Sequence, residues 1–456
     1  MSTTPPLVSD SLSLRAPPGT GAQARRTAGS LAKPPPVVRS LQVSATLAAS
    51  EAMTARLRKG QPTLPLAFGE AGLPVAPVLR DALAAASRNN SYGPVAGCPE
   101  LRAAAAGYWQ RRGLPTTKAA VVCGPGSKAL LFALLLAIGG DVAIPKPSWV
   151  SYAAQASLLA ARAHFVPAAG GEGGVPDPAR LDAVASAASA SGRDLRSVVV
   201  TLPDNPTGRV AAPDTIRDLC EVAAAHQMII ICDEIYRDLI HESSTPILSP
   251  AEVAPDRTVI TTGLSKSLAL GGWRVGVARM PDGPLGGHLR KALLGAASEI
   301  WSVPAVPVQY AAAVAFSEPP DLRARVARSC ALHSAVARAA AEVCSAAGLL
   351  VPPPQAAFYI YPDFEPFRDY LRSRFGVISS VGLARLLLRR YGAATLPGSA
   401  FGDGRRMLAV RLATALIYGD NDTERAAALQ APDPLQHPPI AAALGRLEEI
   451  LADLTT

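Results

Sequence analysis

Lys266 stands in Gly263-Leu264-Ser265-Lys266, directly after the short apolar run Thr258-Val259-Ile260-Thr261 and ahead of Gly272-Trp273-Arg274-Val275-Gly276. A lysine amine can form a Schiff base with an aldehyde, and a nearby arginine can hold a phosphate through paired, charge-assisted hydrogen bonds. Three upstream apolar runs also end in loops with usable chemistry. Ala119 to Cys123 runs into Gly124-Pro125-Gly126-Ser127-Lys128, Ser197 to Leu202 into Asn205-Pro206-Thr207-Gly208, and Met228 to Cys232 into Asp233-Glu234-Ile235-Tyr236. Strands buried on both faces read as continuous apolar runs, and ligands of open α/β sheets sit outside the carboxyl ends of the strands. The four loops are therefore expected to converge on one crevice.

An amine, a carboxylate, a phenol, an amide and an anion cradle together describe a site for pyridoxal phosphate. Lys266 would hold the aldehyde, and Asp233 would keep the ring nitrogen protonated so that the ring draws electrons from a substrate α-carbon. Asn205 and Tyr236 carry donors for the phenolate oxygen. The phosphate would take backbone N–H groups at Gly126, Ser127 and Lys128, where the apolar helix predicted over 129–138 begins. Arg274 would add a bidentate pair, roughly 1.5–3 kcal/mol beyond a neutral contact. Each motif alone also has a bland reading: Asp233 as a helix cap, Asn205 to Gly208 as an ordinary turn, Trp149 as a core aromatic, Arg274 as a surface charge. Their joint occurrence carries the assignment.

In order and spacing these segments resemble the class I/II aminotransferase family of fold type I pyridoxal phosphate enzymes, over about residues 45–415. The resemblance implies that Lys266, Asp233 and Tyr236 are catalytic, with Lys266 moving the proton between the substrate α-carbon and C4′ of the cofactor. It places Asp233 on the pyridinium, Asn205 and Tyr236 at the phenolate oxygen, Arg274 on the phosphate, and Ser265 beside the lysine in the cofactor site. Trp149, in Pro147-Ser148-Trp149-Val150-Ser151-Tyr152, matches the aromatic residue that stacks on the ring. Tyr92, in Ser91-Tyr92-Gly93-Pro94, matches a tyrosine that reaches the neighbouring subunit's phosphate, which implies a homodimer with composite sites. Arg411, in Val410-Arg411-Leu412-Ala413-Thr414, inherits the clamp on the substrate α-carboxylate, and Gly69, in Phe68-Gly69-Glu70, lies against the substrate, as do Asn205 and Trp149.

The implied fold is α/β: a mostly parallel seven-stranded sheet in a large domain over 85–318, with a smaller α+β domain built from 41–84 and 319–456. Helices are predicted over 44–59, 324–347 and 441–454, and a strand over Phe358-Tyr359-Ile360-Tyr361. Two stretches depart from the family. Pro354-Gln355-Ala356-Ala357 lacks its usual glycine, and the run over 416–439 is longer than usual, either lining the entrance or forming a plain surface loop.

At 456 residues and 49% hydrophobic the chain can bury a large core. The apolar stretch 129–138 is too short to span a bilayer, so no membrane partner is expected. The net charge of +8 is concentrated at the start, where Arg15, Arg25, Arg26, Lys33 and Arg39 face only Asp10 within residues 1–40, and nucleic-acid binding is not inferred. Those 40 residues, proline-rich and without periodicity, are expected to be disordered or loosely draped over the body. Arg25-Arg26 precedes too short an apolar stretch for an export signal. The six cysteines show no Cys-x-x-Cys spacing and read as reduced thiols of a cytoplasmic protein, and no metal constellation is present.

The function expected is transfer of the amino group of an L-α-amino acid to a 2-oxo acid. The alternative is a lyase, cyclase or γ-replacement enzyme acting on a γ-activated amino acid such as S-adenosylmethionine, which needs the same residues to make the same carbanion. The stretch Ser298 to Pro304 holds Trp301 but no arginine, which disfavours aspartate or glutamate as main donor. A ligand-sensing regulator is disfavoured because residues 1–40 cannot form a helix-turn-helix module.

Overall fold

The computed structural model describes residues 45–455, so the expectation for residues 1–40 lies outside it. The strands in chain order are β1 (Leu64–Pro65), β2 (Val121–Gly124), β3 (Asp141–Lys146), β4 (Ala163–Pro167), β5 (Leu195–Thr201), β6 (Ile229–Asp233), β7 (Thr258–Gly263), β8 (Gly276–Arg279), β9 (Tyr359–Ile360), β10 (Ala393–Ala394), β11 (Leu396–Pro397) and β12 (Val410–Ala413). Seven of them make one sheet in the order β2-β8-β7-β6-β5-β3-β4. All of its strands are parallel except β8, which runs antiparallel to both β2 and β7.

The apolar runs are explained by what covers each face. Val198, Val200, Ile230 and Cys232 point into one cluster with the helices Pro178–Ala190 and Pro213–Ala225. Val199, Ile231 and Val259 point into another with the helices Ser127–Ile138 and Gly283–Ile300. A period of two over residues that are all apolar thus serves two cores, and each buried aliphatic side chain contributes about 1.5–3 kcal/mol. The crossover helices start cleanly: Pro178 follows Asp177, whose side chain accepts from the backbone N–H of Arg180.

A three-stranded antiparallel sheet, β11-β12-β9, packs with the helices Pro320–Ala346 and Pro438–Thr455 around the largest apolar cluster. The helix Ala45–Leu57 joins through Ala49 and Met53, which pack on Ala394, Leu396 and Phe401. The run over 416–439 is not one long loop. It holds the helix Asp422–Gln430, whose start is fixed by the Asn421 side chain accepting from the Glu424 N–H, and none of it lines the cavity described below. The cap signal Asn-Asp-x-Glu was legible there, but the prolines after it masked it. In the stretch that departs from the family, Ala357 takes up a left-handed φ of 58°. Its N–H donates to the Leu239 carbonyl at 2.8 Å, and its own carbonyl lies 2.8 Å from the His241 ring, so tertiary bonds hold a conformation glycine would adopt freely.

Candidate active site

Parallel register sets Thr201, Asp233 and Thr261 side by side at the carboxyl ends of β5, β6 and β7. The buried Asp233 carboxylate accepts from the Tyr152 hydroxyl at 3.1 Å and from the Thr261 hydroxyl at 3.3 Å. Tyr152, on the helix Ser151–Leu158, also shares a 2.9 Å hydrogen bond with Thr201. Burial raises the Asp233 pKa to about 6, against the pull of these neutral donors. A cationic group beside this carboxylate would pull its pKa back down.

Arg411 lies on β12, where Leu396 of β11 is its register partner. Its guanidinium is 2% exposed, and its Nη1 donates to Asn205 Oδ1 at 3.1 Å and its Nη2 to the Ala67 carbonyl, while Nε is buried without a partner. The rings of Tyr359 and Phe401 flank it at 4.8 and 5.3 Å. These acceptors are neutral, and burial lowers the guanidinium's pKa. The same Asn205 presents its amide nitrogen to the Tyr236 hydroxyl at 3.5 Å, and the Tyr236 and Tyr359 hydroxyls are hydrogen-bonded at 2.8 Å.

Lys266, three residues past β7, donates from Nζ to the Gly69 carbonyl at 2.5 Å. Burial, then the charge of Arg411, bring its pKa down to about 8. Gly69 has no room for a side chain, since a β-carbon there would sit 2.4 Å from the Tyr359 hydroxyl oxygen. At the other motif, Gly126 caps the helix Ser127–Ile138 with a φ of 89°, and a β-carbon on it would meet the Arg274 guanidinium at 2.5 Å. The glycine thus lets a guanidinium lie directly against a helix N-terminus, which is an anion cradle. Arg274 itself has a left-handed φ of 51° and donates to the Gly271 carbonyl at 2.9 Å. The Lys128 ammonium lies 5.0 Å from the Trp149 ring, which meets Tyr152 edge-on at 5.2 Å. Burial and then Arg274 lower the Lys128 pKa.

One cavity of about 480 Å³ gathers Gly69, Ser127, Lys128, Trp149, Asn205, Asp233, Tyr236, Ser265, Lys266, Arg274 and Arg411 in its walls. Gly126 acts through Arg274 rather than as a wall. Tyr92 is 90% exposed and lines no part of this cavity within one chain. The sequence reading missed Tyr359, Tyr152, Thr201, Thr261 and Glu70, which also line the cavity or hold its carboxylate. Thr201 and Thr261 could have been found from the shared distance of each strand end from its apolar run, whereas nothing in sequence ties Tyr359 to Tyr236. A second cavity of about 550 Å³ shares the Lys266 loop through Gly263, Leu264, Ser267 and Leu268, and carries Arg112, Asp238 and Glu318. Among the described residues there is no cluster suited to a metal ion, and no helix is long and apolar enough to cross a membrane.

The residues fit pyridoxal phosphate on their own evidence: a buried carboxylate with neutral partners, a near-neutral amine, an anion cradle, and a buried guanidinium with an unpartnered Nε. Residues 63–415 match the family described as aminotransferase class I and II. A probable aspartate/prephenate aminotransferase of Thermus aquaticus is 31% identical over 80% of this chain and 91% of its own length. An aspartate aminotransferase of Geobacillus stearothermophilus is 30% identical over 80% and 91%. The solved aspartate aminotransferase of Thermus thermophilus with maleate superposes with a TM-score of 0.76 at 28% identity, covering 91% of this chain and 98% of that one. An aminotransferase of Mycobacterium tuberculosis gives 0.76 at 25% identity with the same coverage. The lyase or cyclase alternative has no counterpart among these relatives. The chain belongs to the class I and II aminotransferase family, and is a fold type I aminotransferase of a pyridoxal phosphate-dependent kind.

Proposed function

We propose that this chain binds pyridoxal 5′-phosphate in the 480 Å³ cavity and passes an amino group between an L-α-amino acid and a 2-oxo acid. The observation that carries the reading is a pair of buried opposite charges, Asp233 and Arg411, each held by neutral partners and both acting on the Lys266 amine. When bound, the cofactor supplies an aldehyde that captures amines and a ring that spreads negative charge away from the α-carbon. Asp233 would hold the proton on the ring nitrogen, and Asn205 and Tyr236 would donate to the phenolate oxygen. Backbone N–H groups at Ser127 and Lys128, with Arg274, would bind the phosphate, and Trp149 would cover the ring. Arg411 would take the substrate α-carboxylate bidentately, replacing weak acceptors with an anion. The Lys266 amine, its pKa lowered to about 8, would lift the α-proton and return it on the far side of the transfer.

The exposed Tyr92 supports a homodimer in which it completes the partner's phosphate site. Six free thiols, five of them buried, support a reducing, cytoplasmic setting. We read the layers around the seven-stranded sheet as the cofactor domain over 85–318, and the cluster under β9, β11 and β12 as the smaller one. Borohydride reduction of the cofactor-loaded protein should fix the label on Lys266, and peptide mapping to another lysine would overturn the assignment. A panel of neutral and basic L-amino acids, with aspartate included because the relatives are named for it although the arginine-free stretch Ser298 to Pro304 disfavours it, should convert the bound cofactor to its amine form and release a 2-oxo acid. Retention of the aldehyde with every donor would overturn the transfer reading.

A further inference from the structure

Among the described residues the Tyr359 hydroxyl makes one hydrogen bond, to the Tyr236 hydroxyl at 2.8 Å, and the ring of Tyr359 is fully buried beside the Arg411 guanidinium. A guanidinium only donates, so the 3.1 Å contact from Arg411 fixes the Asn205 oxygen on that side and its NH₂ on the side of Tyr236. The Tyr236 oxygen therefore accepts from Asn205. A phenol oxygen can accept a second hydrogen bond, and among the described residues Tyr236 is the one protein acceptor that the Tyr359 hydroxyl meets. If Tyr359 donates to Tyr236, both partners push toward the Tyr236 oxygen, and the one proton of Tyr236 is left for the cavity that it lines.

We propose that Tyr359 is a positioning residue for amino transfer: its hydroxyl donates to Tyr236 and so keeps the Tyr236 proton aimed at an anionic oxygen in the cavity. That oxygen is the cofactor phenolate, so the inference rests on the cofactor reading above. The arrangement also links the two halves of the site. Arg411, when it binds a carboxylate, acts on Tyr236 through Asn205 on one side and through the ring of Tyr359 on the other.

The test uses full-length protein loaded with pyridoxal 5′-phosphate, without substrate, and follows the absorbance of the bound cofactor across pH. Weaker donation to the phenolate raises the proton affinity of the nitrogen joined to it. Tyr359→Phe keeps the ring and removes the hydroxyl, and should move the titration midpoint up by about half to one pH unit. Replacing Tyr359 with 3-fluorotyrosine, a stronger donor of the same shape, should move it down. On a Tyr236→Phe background the Tyr359→Phe change should add almost nothing, because its effect passes through Tyr236. A midpoint unmoved in Tyr359→Phe with Tyr236→Phe shifted, or full additivity in the double variant, would overturn the role of Tyr359 alone. Failure of the unaltered protein to take up the cofactor would overturn both this inference and the cofactor reading.

Discussion

Two cavities share the Lys266 loop, and they treat arginine in opposite ways: the half-buried Arg112 is paired, the buried Arg411 is not. In the second cavity Arg112 meets Asp238 at 2.7 Å and Glu318 at 2.6 Å, and the Tyr108 ring lies 3.5 Å from the Arg112 guanidinium; from outside its walls Arg111 meets the same Glu318 at 2.6 Å. Arg112, Asp238 and Glu318 there answer one another from within the chain. In the first cavity Arg411 finds an amide, a backbone carbonyl and two aromatic faces, and keeps Nε unpartnered. Burying a charge without a counter-charge is costly, so such a residue persists only where something else supplies the missing partner. The same side chain is architecture at Arg112, and at Arg411 its partners leave it free for the carboxylate-binding role proposed above.

The sharpest way to break this contrast is Asp233→Ala. The carboxylate has two hydroxyls and the Ile235 backbone N–H to lose and no direct ion pair, so folding should survive, whereas turnover should fall by about 10²- to 10⁴-fold if it serves the reaction. Near-normal turnover in single-turnover absorbance measurements would make Asp233 one more structural acid. Arg411→Lys should come next, with kcat/KM for amino acids down by about 10- to 100-fold as a point charge replaces a fork. The control is a simple amine lacking the carboxylate, which should lose far less; equal losses would move Arg411 into the architectural class. The smallest effect on turnover, within about twofold, is expected for Arg112→Ala. Its signature is thermal: loss of the pairs to Asp238 and Glu318 should lower stability by about 1.5–3 kcal/mol in denaturation experiments. A collapse of turnover at unchanged stability would erase the distinction.

The strand-end loops were readable because both features that mark them are local: an uninterrupted apolar run, and a polar or glycine-rich segment directly after it. The sheet only had to place those ends in register, as it does for Thr201, Asp233 and Thr261. Arg411 was readable through its segment's likeness to a family, not through any local property. Tyr359 escaped because its strand looked like core, and its partners Tyr236, Arg411 and Gly69 come from three distant segments. The helix Asp422–Gln430 escaped for another reason: its short alanine-rich run and the prolines after it hid a cap whose geometry is local. Tyr92 stays open to test, since a residue serving a neighbouring subunit shows in one chain only as exposure.

The contact between Gly69 and Tyr359 constrains how this chain can diverge. With 2.4 Å between a β-carbon at 69 and the hydroxyl oxygen at 359, alanine at 69 is barred while Tyr359 is intact. The reverse order is easier, because phenylalanine at 359 removes that oxygen and leaves ring carbons at 3.3 Å, a tight contact that a small shift relieves. Two positions far apart in the chain therefore admit only one sequence of changes, and the step that must come first is the one that weakens the hydrogen bond to Tyr236. A lineage drifting toward bulk at position 69 would first have to give up the Tyr359 hydroxyl, and with it the hydrogen bond to Tyr236, before it gained anything from the new side chain.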